Sequence, residues 1–300
     1  MDFNKVAFMK KALLIVAGSF LLYNIYQTII STIFISHYPT IVTQLPHFIE
    51  SSQPALQLAL FLSQELTGAV ASYLRLIGSI FALNAALLFL KKDGKYIEKL
   101  RRALLFESLF FLLLVPSGLN HVVGSVISSS QFLNVYTGIS ALLQAVLVFP
   151  PLFMLSRKLK KPQDTPSILK WAGIAATLYV FGFWVKQGLN WVYALSPLGA
   201  QQAGLIEAIG SVNSLLTLLV AAIVATVAWL TFRRKKKLNT WLVGTALLLV
   251  GIYLVIYAIV SVWVPIYRSF LLLTDFWIIT LPILGIAVCL IQNKVPTDIT

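Results

Sequence analysis

The sequence predicts an all-α integral membrane protein: a polytopic bundle of eight transmembrane helices in a single membrane domain, residues 1–300. Three observations carry this. Hydrophobic residues make up 59% of the chain and charged ones 11%, with a mean hydropathy of +0.88; soluble domains hold about 45–50% apolar and about 25% charged residues. Eight stretches reach the length of about 20 mostly apolar residues that a membrane helix needs. Basic residues recur in clusters at every second boundary between those stretches. Together these exclude a soluble enzyme, a disordered chain and a disulfide scaffold. The runs are continuous and lack period-2 alternation, which favours helices over barrel strands.

The first span, 12–36, follows Lys5, Lys10 and Lys11. That opening resembles a signal peptide, but the apolar run exceeds the usual 7–15 residues and offers no small-x-small cleavage site. It is expected to stay as a span. An outer segment, 37–66, follows with His37, Pro46, His47, Glu50, Pro54 and Glu65. Beyond Pro54 it reads as an interfacial helix or as an extension of span two. One helix of about 36 residues would be near 54 Å long and overhang a bilayer, so a break near Thr67–Gly68 is expected. Spans two to four are 67–90, 103–126 and 135–156. Pro116, beside Ser117-Gly118, is the best position for a broken helix; Pro150 and Pro151 fall near the end of span four. Spans five to eight are 171–194, 205–232, 239–265 and 269–291. Trp171, Trp229 and Trp241 fall near one interface and Trp191 and Trp263 near the other, an ordinary aromatic belt.

Orientation follows from the cations. Beyond the first three lysines, Lys91, Lys92, Lys95, Lys99, Arg101 and Arg102 follow span two. Arg157, Lys158, Lys160, Lys161 and Lys170 follow span four, Arg233, Arg234, Lys235, Lys236 and Lys237 follow span six, and Lys294 follows span eight. Eight crossings put all of them on one side and leave only Arg268, in a turn, on the other. By the positive-inside rule that side is the cytoplasm, so both termini are expected inside, in the cell membrane. The net charge of +13 is then explained without nucleic acid, and the expected partners are the lipid bilayer and anionic headgroups at the basic loops. A second copy or another membrane subunit remains open as a further partner.

Spans two to seven read as three helical hairpins with shared strings. Ser117-Gly118-Leu119-Asn120-His121 in span three parallels Gln187-Gly188-Leu189-Asn190-Trp191 in span five. Ile77-Gly78-Ser79, Gly138-Ile139-Ser140 and Ile209-Gly210-Ser211 recur in spans two, four and six. A repeat would put a site at the repeat interface. The plainer account is small residues letting helices approach closely.

No nucleophile elbow, Walker loop, zinc-protease or Rossmann motif occurs. The single Cys289 lies in an apolar run, and His37, His47 and His121 read as outer-side loop or helix-end residues. No catalytic residues, metal or cofactor are expected. Asn24, Gln27, Asn84, Gln144 and Asn213 read as interhelical glue. Charges within spans are more telling, because each costs several kcal/mol unless paired or hydrated. Glu107 is five residues past Arg102, near the cytoplasmic interface, with Arg101 or Arg102 as its expected partner. Arg75 and Lys186 each lie 16 residues from a basic loop residue, about 24 Å into the bilayer. Asp275 lies about 10 Å below the outer end of span eight. Asn120, His121, Gln187 and Asn190 fall at a similar depth.

The expected substrate site is this outer-third layer of Arg75, Lys186, Asp275, Asn120, His121, Gln187 and Asn190. Asp275 balances one cation, leaving the other to attract a carboxylate, a phosphate or a lipid headgroup. The bland alternative has both cations snorkelling to the interface, with Asp275 as a helix clamp. The leading functional reading is a transporter or permease for a small or lipid-like anionic solute. The alternative is a non-transporting membrane component: an assembly partner, sensor or scaffold in a complex. An intramembrane enzyme lacks a recognisable reactive set.

Overall fold

A computed structural model describes residues 3–44, 54–91, 93–127, 132–161 and 166–178, with the single positions 181, 226 and 248. Every regular element among them is helical: α1 (Phe3–Gln44), α2 (Pro54–Leu90), α3 (Tyr96–Ile127), α4 (Phe132–Lys158) and a helical stretch α5 over 166–178. Among the described residues four segments are long and apolar enough to cross a membrane: Lys10–Ile33, Leu66–Leu90, Tyr96–Val123 and Ala141–Lys158. They fall where the first four spans are expected. Only 171–178 and Phe181 of the fifth span are described, and all of the sixth to eighth except positions 226 and 248 lies outside the described residues. Large apolar side chains such as Leu22, Ile29, Ile33, Val70 and Val146 point outward, as expected of helices whose solvent is hydrocarbon.

Two features depart from the sequence expectation. The segment 37–66 is helical at both ends, with α1 running on to Gln44 and α2 starting at Pro54. Pro54 suits a first helical position because its missing N–H needs no partner there. No break occurs at Thr67–Gly68. The Thr67 hydroxyl donates to the Ser63 carbonyl at 2.6 Å and the Ser72 hydroxyl to the Gly68 carbonyl at 2.9 Å, so the side chains there are satisfied within a helix that stays continuous. The result is a helix of 37 residues, about 56 Å long. Pro116 likewise sits inside a continuous α3. The donor it removes costs one backbone bond, a loss that packed neighbouring helices tolerate.

The α2–α3 turn explains itself locally. The Asp93 N–H donates to the Leu88 carbonyl at 3.0 Å, and the Tyr96 N–H returns to the Asp93 carbonyl at 3.1 Å. The Asp93 carboxylate accepts the Lys95 N–H at 2.9 Å, an Asx turn that starts α3.

From α1 to α4, consecutive helices pack together. Along the antiparallel α2–α3 hairpin, Phe89 meets Tyr96 edge to face with centroids 5.2 Å apart, and Phe81 stacks on Phe106 at 5.7 Å. At the far end the Asn120 amide donates to the Ser63 hydroxyl. Contacts α1 makes with α2 include polar ones, with Thr28 reaching the Ser72 carbonyl at 3.4 Å, the Ser31 and Ser72 hydroxyls meeting at 3.3 Å and those of Thr32 and Tyr73 at 2.9 Å, and nearer the other end Leu13 packs against Phe89 and Tyr96. At one end of the packet the basic residues converge. Lys10 lies over Phe89, Lys99 and Arg102 over Phe81, and Arg157 over Phe153. The Ser156 hydroxyl donates to the Arg101 carbonyl at 3.2 Å, tying the end of α4 to the start of α3.

Candidate functional site

Arg75 stands nine residues inside Leu66 and 15 from Leu90 on α2, about 14 and 22 Å from the ends of that apolar segment. One turn on, Gly78 presents no side chain to α3. A Cβ built there would lie 3.3 Å from Phe106 Cβ, 3.4 Å from the Ala103 carbonyl and 3.4 Å from Glu107 Oε1. Gly78 thus lets α3 close on α2 and seats the Glu107 carboxylate against the α2 backbone.

Glu107 and Arg75 face each other across that contact. Arg75 Nε lies 3.8 Å from Glu107 Oε2, with the side chains 5% and 1% exposed. The guanidinium also lies 4.3 Å from the centre of the Phe110 ring, a cation–π contact strengthened by desolvation. Among the described residues neither Glu107 oxygen accepts a hydrogen bond. The hydroxyls adjacent in sequence are spent elsewhere: Ser79 donates to the Leu76 carbonyl and Ser108 to the Leu105 carbonyl, each at 2.7 Å. Arg75 has a further interaction besides these.

The basic end holds a contrasting pair. There Glu98 takes Arg101 through a fork of two bonds at 2.7 and 2.8 Å and Arg102 through one at 2.9 Å. Arg101 and Arg102 therefore serve Glu98, not Glu107 as the spacing suggested. Glu107 is not an interfacial group: it lies 11 residues past Tyr96 and 16 before Val123, near the middle of its apolar segment.

Of the seven residues expected to form one layer, three are described. Arg75 sits level with Glu107 and Phe110. Asn120 sits level with Ser63, which is 12 residues, or about 18 Å, along α2 from Arg75. His121 follows Asn120 on α3, half-buried and engaged with a neighbour. The structure therefore does not bring Arg75 together with Asn120 and His121. Lys186, Gln187, Asn190 and Asp275 lie outside the described residues. Glu107 is the site residue that sequence reasoning misplaced. Counting outward from the turn at Asp93 puts Glu107 and Phe110 within about one helical turn of the level of Arg75, a signal that distance from Arg102 conceals.

Two glycines of the recurring strings have a packing role. Gly118 of α3 and Gly138 of α4 face each other so closely that a Cβ on either would come within 2.8 Å of the other's carbonyl oxygen. Gly188 and Gly210 lie outside the described residues. Among the described residues no group of three His, Cys, Asp or Glu gathers as metal ligands.

What the geometry defines among the described residues is a set of helices with four segments fit to cross a membrane and an ion pair buried midway along two of them. The chain matches no protein-family model, no curated protein and no solved structure.

Proposed function

We propose that this protein is a transporter or permease for a small or lipid-like anionic solute, with Arg75 as the group that receives the anion. One observation carries the reading. The exposed ion pairs on Glu98 are short and forked, whereas the buried Arg75–Glu107 pair is long and its carboxylate lacks hydrogen bonds among the described residues. A buried pair kept for stability needs good geometry and satisfied lone pairs to offset several kcal/mol of desolvation per ion. This pair has the opposite character, that of a site whose partners exchange. Ionisable groups at membrane depth commonly mark solute and ion pathways.

The rest of the reading is part of the same proposal. Eight spans put the basic end in the cytoplasm with both termini, where it meets anionic lipid headgroups. Lys186, Gln187, Asn190 and Asp275 contribute from the later spans, and Asn120 and His121 line the approach from the outer end. The test is uptake into proteoliposomes of labelled carboxylates and phosphates, from acetate to dodecyl phosphate. Wild-type protein is expected to take up at least one of them, and Arg75→Gln to lose it. Equal uptake by Arg75→Gln, or none by the wild type, overturns the reading.

A further inference from the structure

We infer that Glu107 is an internal stand-in for the anionic ligand of Arg75, so that anion binding at Arg75 is coupled to protonation of Glu107, one proton per anion. The inference deepens the functional reading above and rests on Arg75 receiving the anion.

The argument is one of charge conservation in a dry place. With the site empty, the guanidinium and carboxylate together carry no net charge. An incoming carboxylate or phosphate monoanion that takes the guanidinium leaves Glu107 without its counter-ion. For a carboxylate that is 1% exposed, with no hydrogen bond to either oxygen among the described residues, those residues offer no second group to hold its charge. Breaking a buried pair on one side alone costs about 3–5 kcal/mol. Binding a proton to Oε1 or Oε2 removes that cost. The loaded site then holds guanidinium, anion and neutral carboxylic acid, again with no net charge. One O–H bond forms on Glu107, its proton comes from the same aqueous phase as the anion, and release reverses both steps. Full turnover moves one proton with one monoanion and is electroneutral.

The charged surroundings allow this. From α2 the group facing Glu107 is Arg75. On α3 itself Arg101 and Arg102 turn to Glu98, and Lys99 lies over Phe81. From α4, Arg157 lies over Phe153 at the basic end with Lys158 beside it; from α1, Lys10 lies over Phe89 at that same end. The Phe81–Phe106 stack adjoins Glu107 on α3, and Lys99 and Arg102 rest on its Phe81 ring. Phe110 keeps its hold on the guanidinium while the anionic partner changes.

The experiment uses the full chain in nanodiscs, in weak buffer with a pH-sensitive dye. Acetate, benzoate, inorganic phosphate and dodecyl phosphate are the probes. Wild-type protein is expected to take up about one proton per anion bound, with affinity falling about tenfold per pH unit where Glu107 is ionised. An infrared band of a protonated carboxyl is expected to appear with the anion. Glu107→Gln is expected to bind acetate or benzoate, which stay ionised near neutrality, with no proton uptake, no new band and no pH dependence, while Glu98→Gln behaves as wild type; the phosphates, which titrate themselves near neutrality, are read for binding alone. The wild-type measurement needs no variant, so misfolding of Glu107→Gln cannot mask the answer. Anion binding by the wild type without proton uptake, or undiminished uptake in Glu107→Gln, overturns the inference, as does silence from all four probes. The functional reading fails separately. Coupled binding with no translocation into vesicles refutes transport and supports the exchange, whereas uptake indifferent to a pH gradient refutes the exchange and leaves transport standing.

Discussion

The contact of Gly118 with Gly138 allows a prediction worked from distances. Adding a methyl at Gly138 places its carbon 2.6 Å from the Gly118 carbonyl oxygen, 2.7 Å from Val122 Cγ2 and 3.0 Å from the Val122 nitrogen. Ordinary contact begins at 3.4 Å, so the shortest approach falls short by 3.4 less 2.6, or about 0.8 Å. Two of the three obstacles are α3 backbone, which cannot rotate aside. The helices must part, and the loss is that of an overpacked core, about 1–3 kcal/mol. Gly118→Ala meets the Gly138 carbonyl at 2.8 Å and Leu142 Cγ at 2.9 Å and belongs in the same range. Once one methyl has driven the helices apart, the second finds room already made. The double variant is therefore expected to cost less than the sum of the singles, with a coupling of at least 0.5 kcal/mol. Reversible unfolding in mixed micelles measures all four corners of the cycle. Gly68→Ala is the control: nothing lies within 4 Å of its Cβ position, and a helix-interior Gly→Ala change there is expected to gain about 0.5–1 kcal/mol. Additive losses, or a Gly138→Ala variant as stable as wild type, would refute the close crossing.

Further predictions concern the ion pairs and the seating glycine. Glu107→Leu is expected to cost about 3–5 kcal/mol in the same unfolding assay, because it strands the Arg75 guanidinium, whereas Arg75→Met is expected to cost less, because the stranded Glu107 carboxylate takes a proton, and the double variant is close to neutral. Glu98→Gln is expected to cost about 0.2–1 kcal/mol, an effect that fades with added salt, since both its partners are partly exposed. Gly78→Val, whose Cβ already lies 3.4 Å from Glu107 Oε1, is expected to weaken benzoate binding more than it lowers unfolding midpoints. Parallel losses in the two measurements would mean that Gly78 serves packing alone.

The first four spans were legible because hydropathy reports what a helix is dissolved in. The overhanging ends of α1 and α2 were not, because helicity depends on backbone hydrogen bonds that persist where hydropathy falls. Residues 54–66 mix Gln57, Ser63, Gln64 and Glu65 with leucines and alanines, so polarity marks the exit from hydrocarbon without marking a helix end. Thr67 and Gly68 look like a breaking pair by type, yet the threonine hydroxyl bonds back one turn to Ser63. Pro116 and Gly118 suggested a hinge, and Gly118 instead serves as the flat place where α4 lies down.

Arg75 was recognisable as a charge too far from either interface to be a loop residue. Its partner was obscured by the choice of origin. Measured from Arg102, Glu107 looks interfacial; measured from the turn at Asp93, it stands opposite Arg75, as the hairpin contacts require. The layer expected from the sequence, Arg75, Lys186 and Asp275, carries one positive charge in excess, and on that expectation attraction of an anion follows from net charge. Arg75 and Glu107 together carry no net charge, and a neutral pair draws in an anion only by giving up the one it already contains. Coupling then becomes a consequence of balance: the carboxylate that lets go must be neutralised, and in a water-poor interior a proton is the smallest charge able to follow the solute in.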